Sequence, residues 1–167
     1  VQDDFAQIHI KSEVIGQPDY IITEIQDLNG GLLAKDSTSN IFGKYFEQDI
    51  KLQNPQIWAP ETPNLYVADS KLFKDGQLMD ILHSRFGIRT IAYVAGKGFM
   101  LNGNVTKFKG VCLHHDLGPL GTAVNKAALR RQMEILKDMG CNAIRSAHNM
   151  PSIEQLELAD EMGFLFL

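Results

Sequence analysis

Cysteine is scarce in this sequence, and so are long apolar runs. Two cysteines, Cys112 and Cys141, occur in 167 residues, and neither lies in a spacing typical of a metal site. We expect two small buried thiols rather than a disulfide. No apolar stretch approaches the roughly 20 residues that a helix needs to span a bilayer, so we expect no membrane association.

A strong charge of one sign is also missing. The formal net charge is −4, which provides no electrostatic argument for binding nucleic acid or an anionic membrane. The chain opens on polar residues rather than on a secretory signal, and its composition is typical of a globular protein. A chain of 167 residues has room for one good core or two small ones. The sequence does not indicate a compartment.

From residue 5 to about residue 88 the hydrophobic pattern has a period of two, which predicts β-strands. Turn residues separate the apolar runs, with a hairpin at 29–31 and another at 74–77, and we expect a polar loop at 36–40. Regularly spaced short strands favour an antiparallel, immunoglobulin-like sandwich. The proline-flanked segment 57–66 predicts a rigid connector, with Trp58 as its buried anchor.

From about residue 93 the pattern changes to alternating strands and helices. An Asn102-Gly103 hairpin comes first, and strands are predicted at 108–113, 143–144 and 164–167. Asn125 and Gly140 should begin and end one helix, and Ser152 and Gly163 should bound the next. The predicted buried sides are Leu129, Met133, Leu136 and Met139 in the first helix, and Ile153, Leu156, Ala159 and Met162 in the second, whose acidic residues are expected to face solvent.

Two polar clusters follow the carboxyl ends of the first two of these strands. The first cluster is His114, His115 and Asp116, and the second is Arg145, Ser146, His148 and Asn149. Strands of one βαβ unit are parallel, so these ends should lie on the same edge of the sheet, where α/β proteins bind ligands. The sequence therefore predicts a polar pocket that is suited to a hydroxyl-rich ligand.

Three stretches resemble glycoside hydrolase family 2, the group of β-galactosidases, β-glucuronidases and β-mannosidases. GVCLHHDLGPLG followed by LKDMGCNAIRSAHNMPS resembles the opening of the family's catalytic barrel. The segment 58–66 resembles the Trp-x-Pro-Glu-x-Pro-x-Leu-Tyr signature of the preceding sandwich domain, and 85–89 resembles the closing strand of that domain. Cys112 stands where the family pattern usually has Asn, and Met150 stands where Tyr or Asn-Pro is common.

The resemblance implies a fold that is mainly β plus α/β. Residues 1–92 would form the immunoglobulin-like sandwich, and residues 93–167 would form the first three strands and two helices of a (β/α)₈ barrel, with the 98–108 hairpin closing its base. The implied function is part of a retaining β-glycosidase of the β-galactosidase type, which hydrolyses terminal β-glycosides and needs no cofactor or metal. The family's two catalytic glutamates belong to later strands, so we expect the isolated chain to be inactive.

The resemblance also implies roles for the polar residues. His114 and His148 would bind sugar hydroxyls, and Asp116 would accept from hydroxyls or hold an imidazole tautomer. Arg145 would orient the catalytic nucleophile or Asp116, or serve in packing. Asn149 is a further candidate for substrate binding, and His115 would face the loop. An open edge at 164–167 predicts either self-association of the chain or fraying of its last elements.

Two other functions are compatible with parts of the sequence. A non-catalytic carbohydrate-binding or interaction module would need an exposed aromatic strip, for which Trp58 is poorly placed. A metal-dependent hydrolase would use His114, His115, Asp116 and His148 as ligands. Adjacent residues of a strand point to opposite sides, and no HxH or HExxH spacing occurs, which disfavours the metal site.

Overall fold

The computed structural model describes residues 4–39, 41–42 and 44–167. The chain divides into two compact units. The first unit comprises Val1–Gln56 and Leu65–Ile88, and the second comprises Ile57–Asn64 and Arg89–Leu167. The connector around Trp58 therefore belongs to the second unit, and the domain bounds 1–92 and 93–167 stay a prediction.

The first unit contains two antiparallel sheets. Its strands are β1 (Phe5–Glu13), β2 (Tyr20–Asp27), β3 (Leu32–Thr38), β4 (Ile41–Phe42), β5 (Tyr45–Gln53), β6 (Tyr66–Lys74) and β7 (Gln77–Phe86). One sheet has the order β3-β2-β6-β7 and the other has the order β1-β5-β4. Alternate residues of β2 and β5, such as Ile25, Ile50 and Leu52, fill the core, as the period of two predicts.

The predicted polar loop at 36–40 is wrong over its first part. Strand β3 continues to Thr38, and its register pairs Thr38 with Ile21 of β2. Asn40 lies outside the described residues. The backbone pairing with β2 extends β3 despite its polar sequence, because β3 is an edge strand whose side chains stay partly solvated. Asp36 also accepts hydrogen bonds, through its carbonyl and its carboxylate, from the buried Gln48 amide.

The second unit contains two small sheets and two helices. The antiparallel sheet consists of β8 (Ile91–Val94), β9 (Gly98–Leu101) and β10 (Asn104–Val105). The parallel sheet, in the order β11-β12-β13, and its helices follow as β11 (Gly110–His114), α1 (Lys126–Asp138), β12 (Ala143–Ala147), α2 (Ile153–Met162) and β13 (Leu165–Phe166). The Asn102-Gly103 hairpin is confirmed, with positive φ at both residues. Its role in closing a barrel stays a prediction.

Helix α1 begins and ends where the sequence predicts, but one of its buried residues is misassigned. The Asn125 side chain accepts from the Ala128 N–H at 3.0 Å, and Gly140 has a φ of 83°. Leu129 and Met133 are buried, whereas Met139 is 69% exposed. Met139 keeps helical backbone angles at the C-cap, but it lies one position beyond α1 and three beyond Leu136, the last buried residue of that helix.

The buried face of α2 also differs from the prediction. Ile153 is 73% exposed and Leu156 is exposed, whereas Gln155, Leu158 and Ala159 are buried. Apolar residues occur on more than one side of α2, and two of its acidic residues face α1 instead of open solvent. Glu157 pairs with Lys126 at 2.6 Å, and Glu161 pairs with Arg130 at 2.7 Å.

The connector Ile57–Asn64 is held by several elements of the second unit. Trp58 is 2% exposed, and its Nε1–H donates to the Asp160 carbonyl at 2.9 Å. Asn102 Nδ2 donates to the Trp58 carbonyl at 2.9 Å, and the Arg89 guanidinium lies 4.8 Å from the centre of the indole ring. The prediction of a buried Trp58 is confirmed, and this ring is not available as a carbohydrate platform.

Lys137 joins the connector to the end of α2. Its Nζ donates to the Pro60 carbonyl at 2.8 Å and to the Gly163 carbonyl at 3.0 Å. Burial lowers the pKa of Lys137 below its ordinary value, and the nearby Glu61 carboxylate opposes that effect. Two backbone acceptors therefore replace part of the hydration of the ammonium group.

Asn142 fixes the start of β11 next to the start of β12. Its Oδ1 accepts from the Lys109 N–H at 2.8 Å, and its Nδ2 donates to the Lys107 carbonyl at 3.0 Å. The side-chain amide thus acts as one more peptide unit beside 107–109, ahead of the strand.

We expect Asn142→Ala to lower the free energy of unfolding of the second unit by about 2 kcal/mol, since two hydrogen bonds to the backbone are lost. Urea denaturation measures this change. Asn104→Ala is the matched control, because the exposed Asn104 amide makes one longer bond, 3.3 Å to the Asn102 carbonyl. Equal losses in the two variants would contradict the bridging role of Asn142.

Candidate active site

The parallel sheet has two different faces. Val111, Leu113 and Ile144 pack into the core formed with α1 and α2. Cys112 and His114 alternate with Val111 and Leu113, so they lie on the opposite face. The register pairs Cys112 with Arg145 and His114 with Ala147. The helix-free face thus carries polar side chains from neighbouring strands.

Three of the predicted site residues come together on this face. The rings of His114 and His148 meet edge to face, with centroids 5.5 Å apart and planes at 89°. Arg145 Nη1 lies 3.1 Å from His148 Nδ1. All three side chains are exposed. The peptide bond between Ala147 and His148 is cis.

Asp116 lies in the loop that follows β11. Its Oδ1 accepts from the Gly118 N–H at 2.8 Å, and its own N–H donates to the His114 carbonyl at 2.8 Å. Together with His114 and His115 it lines a depression at the end of β11, near Ser152 and Gln155. In the described part of the chain, Asp116 is placed by backbone hydrogen bonds rather than by a bond to an imidazole.

Asn149 is exposed at the end of the second cluster. Its backbone carbonyl accepts from Ser146 Oγ at 2.6 Å, which turns the chain just after β12. The binding role of its side chain stays a prediction.

Cys112 belongs to this cluster, although it is not among the site residues predicted from the sequence. The expectation of two buried thiols is wrong for Cys112, which is exposed, and both cysteines are free. Arg145 Nη1 lies 3.8 Å from the Cys112 sulfur. The strand period contained the signal, because residue 112 shares a face with His114 two positions later. Its apolar neighbours, Val111 and Leu113, do pack into the core, and an apolar run of this kind favours the prediction of a buried thiol.

The cluster offers hydrogen-bonding groups from one guanidinium, two imidazoles and one thiol, with Asp116 close by in sequence. Such a set suits hydroxyl groups. Across the ranges that the structure describes, no group of three His, Cys, Asp or Glu side chains is arranged to hold a metal ion, and no helix is long and apolar enough to cross a membrane.

Comparison with known families accounts for almost the whole chain. The profile of Glycosyl hydrolases family 2 matches residues 8–89, and the profile of the TIM barrel domain of that family matches residues 92–167. The chain belongs to glycoside hydrolase family 2. The predicted fold class is confirmed with it: an immunoglobulin-like sandwich followed by the start of a (β/α)₈ barrel.

Several curated members of the family are similar to this chain. It is 44% identical over 151 residues to the β-galactosidase BoGH2A of Bacteroides ovatus, a match that covers 88% of this chain and 18% of that enzyme. It is 32% identical over 162 residues to a β-glucuronidase of Streptococcus agalactiae, covering 97% of this chain and 25% of the relative. The chain thus spans about a fifth of the length of these relatives.

Solved structures of the family have the same fold. A family 2 member from Bacteroides cellulosilyticus superimposes with a TM-score of 0.90 and 34% identity, covering 98% of this chain and 24% of the other. A β-glycosidase from Bacteroides vulgatus superimposes with a TM-score of 0.79 and 28% identity, covering 95% of this chain and 23% of the other.

Proposed function

We propose that the whole protein containing this chain is a retaining β-glycosidase that hydrolyses terminal β-glycosides, with β-galactosides as its substrates. Family membership supports the reaction class. The 44% identity to a β-galactosidase, against 38% to a putative β-glucuronidase and 32% to a β-glucuronidase, supports the choice of sugar. The observation that carries a binding role for this chain is the joining of His114, Arg145 and His148 on one exposed sheet face.

In this proposal the chain supplies substrate binding rather than the reacting carboxyl groups. Retaining glycosidases use two carboxyl groups, one as acid and base and one as the nucleophile that forms a covalent glycosyl-enzyme. His114 and His148 hydrogen-bond sugar hydroxyls, and Arg145 orients the catalytic nucleophile. Asp116 accepts from a further hydroxyl, and the Asn149 amide binds another. Inactivity of the isolated chain and its self-association stay predictions.

Hydrolysis of nitrophenyl glycosides by the whole protein tests this function. We expect kcat/KM to be at least about tenfold higher for the β-D-galactoside than for the β-D-glucuronide, and the first-formed sugar to have the β configuration. A preference for the glucuronide would refute the choice of sugar alone. Absence of hydrolysis of any β-glycoside would refute the proposed reaction.

Replacing either histidine should weaken the reaction without unfolding the protein. We expect His114→Ala and His148→Ala each to lower kcat/KM by about fivefold to a hundredfold, the effect of losing about 1–3 kcal/mol when a buried sugar hydroxyl is left unpaired in the transition state. His83→Ala is the control, since His83 is an exposed histidine of the first unit that pairs with Asp69. Wild-type kinetics in both site variants would contradict a binding role for the pair.

A further inference from the structure

Arg145 and His148 are joined by a hydrogen bond whose direction is decided by the chemistry of arginine. The two atoms, Arg145 Nη1 and His148 Nδ1, lie 3.1 Å apart. A guanidinium group has five N–H donors and no acceptor, and it stays protonated in proteins. His148 Nδ1 must therefore accept, which requires that it carry no proton. The proton of a neutral imidazole then resides on Nε2.

We propose that Arg145 is a positioning residue that holds His148 as the neutral Nε2–H tautomer, so that this ring offers a donor to a sugar oxygen. The orientation of His148 toward a sugar rests on the proposed function above. The tautomer itself rests on the local geometry. A substrate atom opposite Nε2 must accept, which selects a hydroxyl lone pair or a ring oxygen over a protonated donor.

The surroundings of Arg145 favour this bond over its alternatives. Arg145 lies within β12, so its backbone is fixed by the ladder with β11. Its second acceptor, the Cys112 sulfur, lies 3.8 Å from the same Nη1 and is a weak acceptor. The thiol therefore competes poorly for the N–H, and the imidazole nitrogen receives the stronger bond.

The orientation of the His148 ring is restricted from its other side. His114 packs edge to face against it, at 5.5 Å between centroids. A half-turn of the His148 ring would remove Nδ1 from the guanidinium and place a C–H group there. Arg145 thus favours both the ring orientation and the tautomer. It holds one ring nitrogen, Nδ1, and leaves the other free for a ligand.

Nitrogen NMR of the whole protein, labelled with ¹⁵N-histidine, measures the tautomer directly. Magic-angle-spinning spectra avoid the size limit of solution spectra, and loss of one signal pair in His148→Gln assigns His148. We expect the wild-type protein to show a protonated Nε2 and an unprotonated, hydrogen-bonded Nδ1. An Nδ1–H tautomer or a doubly protonated ring at neutral pH would overturn the proposal.

Substitutions at Arg145 separate positioning from simple packing. Arg145→Met keeps the apolar stem, and it should replace the single tautomer with a mixture. Arg145→Lys keeps a group that can only donate, and it should retain the Nε2–H signal. Arg130→Met is the control, because Arg130 pairs with Glu161 on the helices; its spectrum should match the wild type. An unchanged His148 tautomer in Arg145→Met would overturn the proposal.

The test still gives an answer if Arg145→Met misfolds or if the proposed reaction is not found. If Arg145→Met does not fold, as judged by circular dichroism, the wild-type and Arg145→Lys spectra still decide the tautomer. If the whole protein hydrolyses no β-glycoside but His148 shows the expected tautomer, the proposed function fails while the positioning by Arg145 stands. The two failures are therefore distinguishable.

Discussion

Gly163→Ala is expected to lower the free energy of unfolding of the second unit by about 3 kcal/mol. Two costs combine at this position. Gly163 ends α2 with a φ of 73°, where a side chain costs about 1–2 kcal/mol. A Cβ added there would also lie 2.2 Å from the Pro60 carbonyl oxygen, and such overpacking typically costs about 1–3 kcal/mol.

The clash at Gly163 cannot be relieved by the rotation of a side chain. The atom in the way is a backbone oxygen rather than the end of a flexible side chain, and the same oxygen accepts from Lys137 at 2.8 Å. Moving Pro60 away would break that bond and disturb the connector that carries the buried Trp58. We therefore expect the variant to lose protection of the connector as well as global stability, which amide exchange of 57–64 would report.

Gly140→Ala is the matched control. Gly140 follows α1 and has a φ of 83°, and a Cβ added there would meet no other atom within 4 Å. Its substitution should cost only the conformational term, about 1 kcal/mol. Urea denaturation of both variants measures the difference of about 2 kcal/mol. Equal costs would show that close approach to Pro60 contributes nothing.

Gly110→Ala is expected to lower the free energy of unfolding by about 3 kcal/mol, for a different reason. Gly110 begins β11 opposite Ala143, and an added Cβ would lie 2.0 Å from the Ala143 carbonyl oxygen. The methyl group has to push β11 and β12 apart, since the obstacle is again backbone. The same movement would separate His114 from Arg145 and His148, so kcat/KM of the whole protein should fall together with stability.

Gly31→Ala provides the comparison for Gly110. An added Cβ at Gly31 would lie 2.7 Å from Asp27 Oδ2, which is the end of a side chain that can rotate. We expect a cost of about 1 kcal/mol, because Asp27 would give up part of its bonds to the Asn29 and Gly31 N–H groups. A Gly110→Ala protein as stable as Gly31→Ala would contradict the close strand approach.

Local signals predicted the element boundaries of the second unit well. Asn125 and Ser152 cap their helices through side-chain oxygens, and Gly140 and Gly163 end them with positive φ. Each of these choices depends on a few adjacent residues, so it is readable without the fold. The strand period likewise located most strands of the first unit.

Contacts between distant residues decided what the sequence left open. The buried face of α2 was misassigned because apolar residues occur on more than one side of that helix. In the structure, two acids of α2 pair with basic residues of α1: Glu157 with Lys126, and Glu161 with Arg130. The polar residues 36–38 do not predict a strand, but they form one because β2 supplies the backbone hydrogen bonds.

The sequence by itself determined the family, the order of the strands and helices, and the polar residues at the ends of β11 and β12. Only the tertiary structure decided which of them meet. The contact of Arg145 with His148, the exposure of Cys112 and the approach of Gly163 to Pro60 each depend on how separate elements pack. A pattern along one strand or helix specifies a face, but the partner of that face is fixed by packing over the whole unit.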